Sequence, residues 1–119
     1  MKLRCVIVDD EPLASEGLAK YVEVIDYLEL IGIAENPLEL NKLLENQPID
    51  LIFLDIQMPG KNGFELLESL EGHVPEVIFT TAYDEYMIKA FKVNSIDYLL
   101  KPVNLVELIG ALDKYKSLK

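Results

Sequence analysis

Five short segments of the sequence are almost continuously apolar, and amphipathic segments separate them. Near-continuous hydrophobicity is typical of strands that are covered on both faces, as in a parallel sheet. Regular alternation of strand and helix predicts an α/β fold with right-handed crossovers. The predicted strands are Leu3–Val8, Leu28–Ala34, Asp50–Leu54, Glu76–Thr80 and Ile96–Leu100.

Apolar residues at helical spacing mark five predicted helices. The first is entered through Pro12, and Asn104 suits the N-cap of the last. Five strands and five helices predict a doubly wound (βα)5 sheet in the flavodoxin-like order 2-1-3-4-5, with strands one and three adjacent. The marker residues are Ala14, Leu18, Val22 and Ile25, then Leu40, Leu43 and Leu44, then Phe64, Leu67 and Leu70, then Met87, Ile88 and Phe91, and finally Leu105, Leu108, Ile109, Leu112 and Tyr115.

Composition narrows the class of protein. A chain of 119 residues without linker-like or repetitive segments is expected to form one domain. Its net charge of −10 argues against nucleic-acid binding by this domain, because phosphate contacts need clustered Lys and Arg. We expect no membrane span and no signal peptide. The lone Cys5 lies in an apolar run, which indicates a buried inert thiol and a reducing, cytoplasmic compartment.

Charged residues follow three of the predicted strands. Asp9 and Asp10 come after the first, Asp55 after the third, and Lys101 after the fifth. In an open parallel sheet, ligands bind beyond the carboxyl ends of the strands. Three close carboxylates repel one another unless a cation intervenes, and oxygen ligands favour a hard cation. The sequence therefore predicts a Mg²⁺ site at this edge.

Some of these residues also have a plainer interpretation, and others suggest a specific chemistry. Asp10 with Glu11 could simply open a helix, where acidic residues are favourable, but this does not account for Asp55. A strand-end carboxylate held against the core can act as a nucleophile toward phosphorus, with Lys101 neutralising charge. Chemistry alone leaves open whether the Thr81 hydroxyl contacts phosphate. His73 is expected to be a solvated loop residue.

The sequence contains the four segments VDDEP, FLDIQMPGKNGFEL, FTTAYDE and DYLLKPV. In their order and spacing they resemble the signatures of the response-regulator receiver domain of bacterial two-component signalling. The resemblance spans the chain and implies a CheY-like receiver over residues 1–119. It implies Mg²⁺ as the cofactor and the following site residues. Asp55 is the phosphoacceptor, Asp10, Asp55 and the backbone carbonyl of Gln57 ligate the metal, Asp9 assists through water, Thr81 and Lys101 bind phosphoryl oxygens, and Tyr98 is the switch aromatic.

The resemblance also implies partners. A sensor histidine kinase donates the phosphoryl group, and the phosphorylated domain forms a homodimer through its fourth helix, fifth strand and fifth helix. The segment FTTAYDEYMIKAFKVNSIDYLLKPV is similar to receivers of LytTR-type transcription regulators. DNA would then be bound by a C-terminal domain absent from this sequence; a stand-alone receiver acting through protein contacts is the alternative. Such a domain assists its own phosphorylation and dephosphorylation without being classed as an enzyme.

Three other classes of protein compete with this interpretation. A phosphatase of the haloacid-dehalogenase kind needs a second aspartate two residues after the nucleophile, where this chain has Gln57. A flavin-binding module needs a phosphate-binding first loop, whereas DDEP would repel an anion. A purely structural partner-binding domain would not need this whole set of site residues.

Overall fold

Five parallel strands form one sheet in the order β2-β1-β3-β4-β5. The computed structural model describes residues 2–58, 60, 62–70, 72, 74–82 and 96–118. The strands are β1 (Leu3–Val8), β2 (Leu28–Ala34), β3 (Leu51–Asp55), β4 (Glu76–Thr81) and β5 (Asp97–Leu100). The described helices are α1 (Pro12–Val24), α2 (Pro37–Asn46), α3 (Gly63–Ser69) and α4 (Leu105–Ser117), the last being the fifth helix of the prediction. The doubly wound order is confirmed.

The predicted strand bounds are confirmed for β1 and β2; they differ by one residue at both ends of β3 and at one end of β4 and of β5. The structure begins β3 at Leu51. The Asp50 N–H donates to the Arg4 carbonyl at 2.7 Å, but the Arg4 N–H donates to the Asp50 carboxylate at 2.8 Å and not to a backbone carbonyl, so the regular strand pairing starts one residue later. At its other end β3 includes Asp55, which pairs with Thr80 of β4. The predicted fourth helix, with Met87, Ile88 and Phe91, and the predicted loop residue His73 lie outside the described residues.

Alternate residues of each strand enter two core clusters on opposite faces of the sheet, because side chains alternate along a strand. Cys5 and Ile7 of β1 pack toward α1 and α4, in what we call the α1-side cluster. Val6 and Val8 pack toward α2 and α3, in the α2-side cluster. The sheet is therefore the middle of three layers, which accounts for the near-continuous hydrophobicity of its strands.

Cys5 is a free thiol buried in the α1-side cluster. Burial, then the negative charges of Asp50 and Glu29, raise the pKa of the Cys5 thiol to about 12. Its Sγ–H donates to the Glu29 carbonyl at 3.6 Å. These observations agree with the prediction of an inert core thiol. Among the described residues, no helix has the length and apolar character needed to cross a bilayer.

Three of the four described helices begin at an asparagine whose side chain caps the helix. The side-chain oxygen of each accepts a hydrogen bond from the backbone N–H three residues later, as an N-cap residue should. Helix α1 differs: Glu11 is its N-cap residue, Pro12 opens its first turn, and no side chain caps it. The capping pairs are Asn36 with Glu39, Asn62 with Glu65, and Asn104 with Glu107.

Gly63, the first residue of α3, lies directly against the end of β3. Its N–H donates to the Ile56 carbonyl at 2.8 Å. A Cβ atom at Gly63 would lie 2.5 Å from the carbonyl oxygen of Asp55 and 3.0 Å from Cα of Ile56. Both neighbours are backbone atoms that cannot rotate away. The absence of a side chain at Gly63 therefore lets the loop close over Asp55.

We predict that Gly63→Ala destabilises the domain by about 1–3 kcal/mol, because the added methyl group must displace backbone. Gly110→Ala is the matched control: no atom lies within 4 Å of its would-be Cβ, and its helical position predicts a gain of about 0.5–1 kcal/mol. Urea unfolding of both variants measures the difference. Equal stability of the two variants would contradict the close approach at Gly63.

Candidate functional site

The carboxyl ends of β1, β3 and β5 bring two aspartates and a lysine together. Asp9 directly follows β1, Asp55 is the last residue of β3, and Lys101 directly follows β5. Each stands two residues after a member of the α1-side cluster, so the alternation of the strands directs all three to the same face. Those cluster members are Ile7, Phe53 and Leu99.

The Lys101 ammonium contacts three carboxylates. Its Nζ atom lies 2.9 Å from Asp9 Oδ2, 3.3 Å from Asp55 Oδ1 and 3.7 Å from Glu11 Oε1. The side chains of Asp9 and Asp55 are 5% and 2% exposed, whereas that of Glu11 is 69% exposed. The cluster is therefore buried at its base and open at Glu11.

Backbone groups fix the two buried carboxylates. Asp9 Oδ1 accepts from the Glu11 N–H at 2.9 Å, and Asp55 Oδ1 accepts from the Gln57 N–H at 3.2 Å. Asp55 Oδ2 is buried and, among the described residues, has no hydrogen-bond partner. An unsatisfied buried oxygen is costly unless a ligand can use it. This oxygen is therefore the atom of the site that an incoming ligand could contact.

Burial and charge shift the pKa values of this cluster. Burial, then the negative charge of Asp9, raise the pKa of Asp55 from 3.8 to about 6, although Lys101 and the Gln57 N–H act in the opposite direction. Burial lowers the pKa of the Lys101 ammonium, but its hydrogen bond to Asp9 and the charges of Asp55 and Asp9 outweigh burial and raise it. Lys101 thus stays charged while Asp55 remains ionisable near neutral pH.

The donor set fits a hard divalent cation. Asp9, Glu11 and Asp55 each offer a carboxylate oxygen, and these atoms lie within 4.8 Å of one another. With all three ionised, one ammonium leaves two negative charges uncompensated, and the unpartnered Asp55 Oδ2 adds a free oxygen ligand. These acidic residues could bind Mg²⁺, which favours carboxylate and water oxygens.

The structure gathers a slightly different set of acids from the predicted one. Asp10, predicted as a direct ligand, is half-buried and does not belong to the group formed by Asp9, Glu11 and Asp55. Because side chains alternate along a strand, Asp10, the residue after Asp9, does not continue the face on which Asp9 lies. The backbone of Gln57 lies beside Asp55 through its N–H. Direct ligation by Asp10 and by the Gln57 carbonyl stays a prediction.

Thr81 is joined to Lys101 through the backbone, and Tyr98 lies on β5, the strand next to that of Thr81. Thr81 ends β4, is 1% exposed, and accepts a hydrogen bond at its carbonyl from the Lys101 N–H at 2.7 Å. Tyr98 is half-buried in β5, pairs in register with Phe79, and packs with it in the α2-side cluster. By strand alternation Thr81 continues the face of Phe79. The two predicted switch residues therefore share one face of the sheet.

The sequence did not predict that Glu11 belongs to the acidic cluster; it indicated only that this acid opens a helix. The available signal was its residue type at a helix start: glutamate is a poor N-cap, and the other described helices begin with asparagine.

A cavity of about 610 Å³ opens beside Asp9 and Lys101. It lies between α1 and the segment after β5, and its lining includes Leu13, Tyr21 and Val103. Leu13 is 85% exposed. The acidic cluster is thus bordered by an apolar depression that is accessible from solvent.

Comparison with known proteins identifies the family. The sequence matches the response regulator receiver domain family over residues 5–113. It is 40% identical to the sensory transduction protein LytT of Bacillus anthracis over 98% of this chain and 48% of that protein. It is 41% identical to the transcriptional regulatory protein BtsR of Escherichia coli K12 over 97% of this chain and 48% of that protein. The chain spans about half the length of these curated relatives.

Solved structures agree with this assignment. The response regulatory domain of protein mrkE from Klebsiella pneumoniae superposes with a TM-score of 0.84 at 31% identity, covering 98% of this chain and 97% of that chain. The REC domain of AraT from Geobacillus stearothermophilus gives a TM-score of 0.83 at 28% identity, covering 99% and 96% of the two chains. The similarity to LytT supports the resemblance to receivers of LytTR-type regulators. With a five-stranded sheet in the predicted order and an acidic cluster at its carboxyl edge, the chain belongs to the response regulator receiver domain family.

Proposed function

We propose that residues 1–119 form a receiver domain that accepts a phosphoryl group on Asp55 from a sensor histidine kinase. The observation that carries this proposal is the Asp55 carboxylate: it is 2% exposed, one oxygen contacts Lys101, and the other has no hydrogen-bond partner among the described residues. A rigid, partly unsatisfied carboxylate beside a cation is suited to nucleophilic attack on phosphorus.

In the proposed reaction, an Asp55 oxygen forms a bond to phosphorus as the bond between phosphorus and the kinase histidine nitrogen breaks. Lys101 neutralises charge on the phosphoryl oxygens, and the Thr81 hydroxyl binds one of them. Mg²⁺ would supply further charge neutralisation, held by Asp10, Asp55 and the Gln57 carbonyl, with Asp9 assisting through water. The domain assists its own phosphorylation and dephosphorylation in this scheme and does not turn over a separate substrate.

The cavity beside the site supports approach of the kinase from the α1 side. Leu13 projects into solvent next to the depression that includes Asp9 and Lys101 in its lining. An apolar side chain on such a surface can be covered by a protein partner that brings a phosphohistidine toward Asp55. Kinase and receiver would meet in the cytoplasm.

We further propose that phosphorylation shifts the domain toward a second conformation. A phosphoryl group can do so only if it interacts differently with the two conformations. Thr81 is the candidate contact, and Tyr98, on the same face of the sheet, is the candidate responding side chain. The backbone bond from Lys101 to Thr81 joins both residues that would bind phosphoryl oxygens, which supports a concerted movement.

In this second conformation, the face that includes β5 and α4 would form a homodimer. On β5 and α4 it exposes Leu100, Val106 and Ile109, and Asp97 pairs with Lys114 at 2.9 Å beside them. Two-fold pairing uses the same surface on both subunits, so such charged residues could pair across it. Other predicted contacts, Tyr86, Lys89 and Lys92, lie outside the described residues.

The proposed output is transcription regulation through a C-terminal LytTR-type DNA-binding domain outside this sequence. The names of LytT and BtsR support this output, as does the fact that this chain spans 48% of each. The net charge of −10 supports DNA contact by another domain and not by the receiver.

We predict that acetyl phosphate or a phosphorylated histidine kinase, with Mg²⁺, adds one acid-labile phosphoryl group, and that Asp55→Asn abolishes this labelling. Chelating the metal should stop it, because the carboxylates would then repel the incoming phosphate. Lys101→Ala should fold yet label at least tenfold more slowly. Intact-mass measurement and mapping of the modified peptide check each outcome.

The control for this labelling experiment is Asp26→Asn, which removes an exposed carboxylate away from the site and should label like the wild type. Retention of the label in Asp55→Asn would show that Asp55 is not the nucleophile. Labelling that persists in excess chelator would remove the metal from the proposal.

We predict that beryllofluoride with Mg²⁺ shifts the domain from monomer to dimer, and that Thr81→Ala prevents the shift without preventing phosphorylation. Val106→Glu should weaken dimerisation at least tenfold by placing a charge on the proposed face. Sedimentation velocity measures both effects.

Val24→Glu is the matched control, because Val24 is a similarly exposed valine at the far end of α1. It should dimerise like the wild type. A wild-type domain that is monomeric before and after complete modification would contradict the proposed dimer.

A further inference from the structure

Glu11 occupies a helix-capping position without capping the helix. Its backbone has the extended conformation of an N-cap residue, and its carbonyl accepts the first helical hydrogen bond, from the Ser15 N–H. Its side chain accepts no capping bond, whereas the asparagines that begin α2, α3 and α4 all do. A residue that does not match the preference of its position in the secondary structure often belongs to a functional site.

The Glu11 carboxylate points instead toward the acidic cluster. It lies 3.7 Å from Lys101 Nζ and within 4.8 Å of carboxylate oxygens of Asp9 and Asp55. Unlike those two side chains it is 69% exposed. Glu11 therefore places a negative charge at the solvent-exposed side of the cluster that contains Asp55.

A fixed charge at this position acts on donors according to their own charge. The Coulomb energy between Glu11 and a donor scales with the donor's charge, so a dianion is repelled more than a monoanion of the same size. Because Glu11 is exposed, salt screens this repulsion, and the Debye length falls to about 3 Å at 1 M ionic strength. Asp9 and Asp55 cannot select donors in this way, because both are buried at the bottom of the site and take part in the proposed reaction.

We propose that Glu11 is a donor-specificity residue, whose carboxylate disfavours small phosphodonors of high negative charge relative to donors of lower charge. This inference rests on the proposed phosphorylation of Asp55. In both reactions below, an Asp55 oxygen forms the bond to phosphorus. Acetyl phosphate loses its phosphorus–oxygen bond and releases acetate, and phosphoramidate loses its phosphorus–nitrogen bond and releases ammonia.

The test compares the rates of Asp55 phosphorylation by acetyl phosphate, a dianion near neutral pH, and by phosphoramidate, a monoanion. The 119-residue chain is used as wild type, Glu11→Gln, Glu11→Asp and Glu23→Gln, each at saturating Mg²⁺. Glu23→Gln is the control for loss of one charge on the exposed surface of α1. The ratio of the two rates within one variant cancels differences in the folded fraction, and saturating Mg²⁺ keeps metal occupancy equal among the variants.

In Glu11→Gln the acetyl phosphate to phosphoramidate rate ratio should rise roughly threefold at low salt, as expected for one unit charge several ångströms away in a solvent-like dielectric. The increase should vanish near 1 M salt, and Glu11→Asp and Glu23→Gln should keep the wild-type ratio. An unchanged ratio in Glu11→Gln at low salt would overturn the role of Glu11. Absence of labelling of the wild type by either donor would instead overturn the proposed phosphorylation itself.

Discussion

The ion cluster of Lys101 with Asp9 and Asp55 is the constraint on which the site depends. Removing two carboxylates and an ammonium from water costs several kcal/mol per ion, and their mutual attraction recovers this only with close, fixed geometry. Here that geometry comes from distances of 2.9 and 3.3 Å and from backbone N–H groups that hold both carboxylates. The compensation is incomplete, because Asp55 Oδ2 has no partner among the described residues and burial raises the pKa of this carboxyl. The resting site is therefore set up to receive more positive charge.

The sheet supplies the fixed geometry. Neighbouring strands join at the same edge through backbone bonds from Asp9 to Ala34, from Ile56 to Thr80, and from Lys101 to Thr81. Gly63 closes the β3–α3 loop against the backbone of Asp55. The same hydrogen bonds that complete the sheet thus position the charged groups. Movement of a charged group would have to alter these strand ends, which is how a local reaction could reach the face formed by β5 and α4.

Much of this architecture follows from the sequence. Continuous apolar runs predicted all five strands to within a residue, because strands covered on both faces leave little room for polar positions. Strand-end charges predicted the convergence of Asp9, Asp55 and Lys101, and alternation along β1, β3 and β5 accounts for their common face. Alternation also separates Asp9 from Asp10, a distinction that adjacency in sequence does not reveal.

Other features depend on contacts that are distant in sequence. The orientation of Glu11 depends on Lys101, which lies far along the chain, so only its unsuitability as an N-cap was visible beforehand. Asp50 was predicted as part of β3, but its side chain, and not its backbone, accepts the bond from the Arg4 N–H, so the strand begins one residue later. The raised pKa of Asp55 likewise depends on burial by the assembled sheet, since its neighbours in sequence give no such signal.

The central claim is that the folded domain contains an ionised Asp55 although burial and the charge of Asp9 disfavour its ionised form. The pH dependence of stability tests this claim most directly. Because folding raises the pKa of Asp55 from 3.8 to about 6, the folded state keeps a proton that the unfolded chain releases in this window, and Asp55 lowers stability as the pH rises through it. Metal-free urea unfolding of wild type and Asp55→Asn should therefore show the variant gaining on the order of 2 kcal/mol relative to wild type between about pH 4 and 7. A difference that stays constant across this range, or that grows toward low pH, would contradict the account.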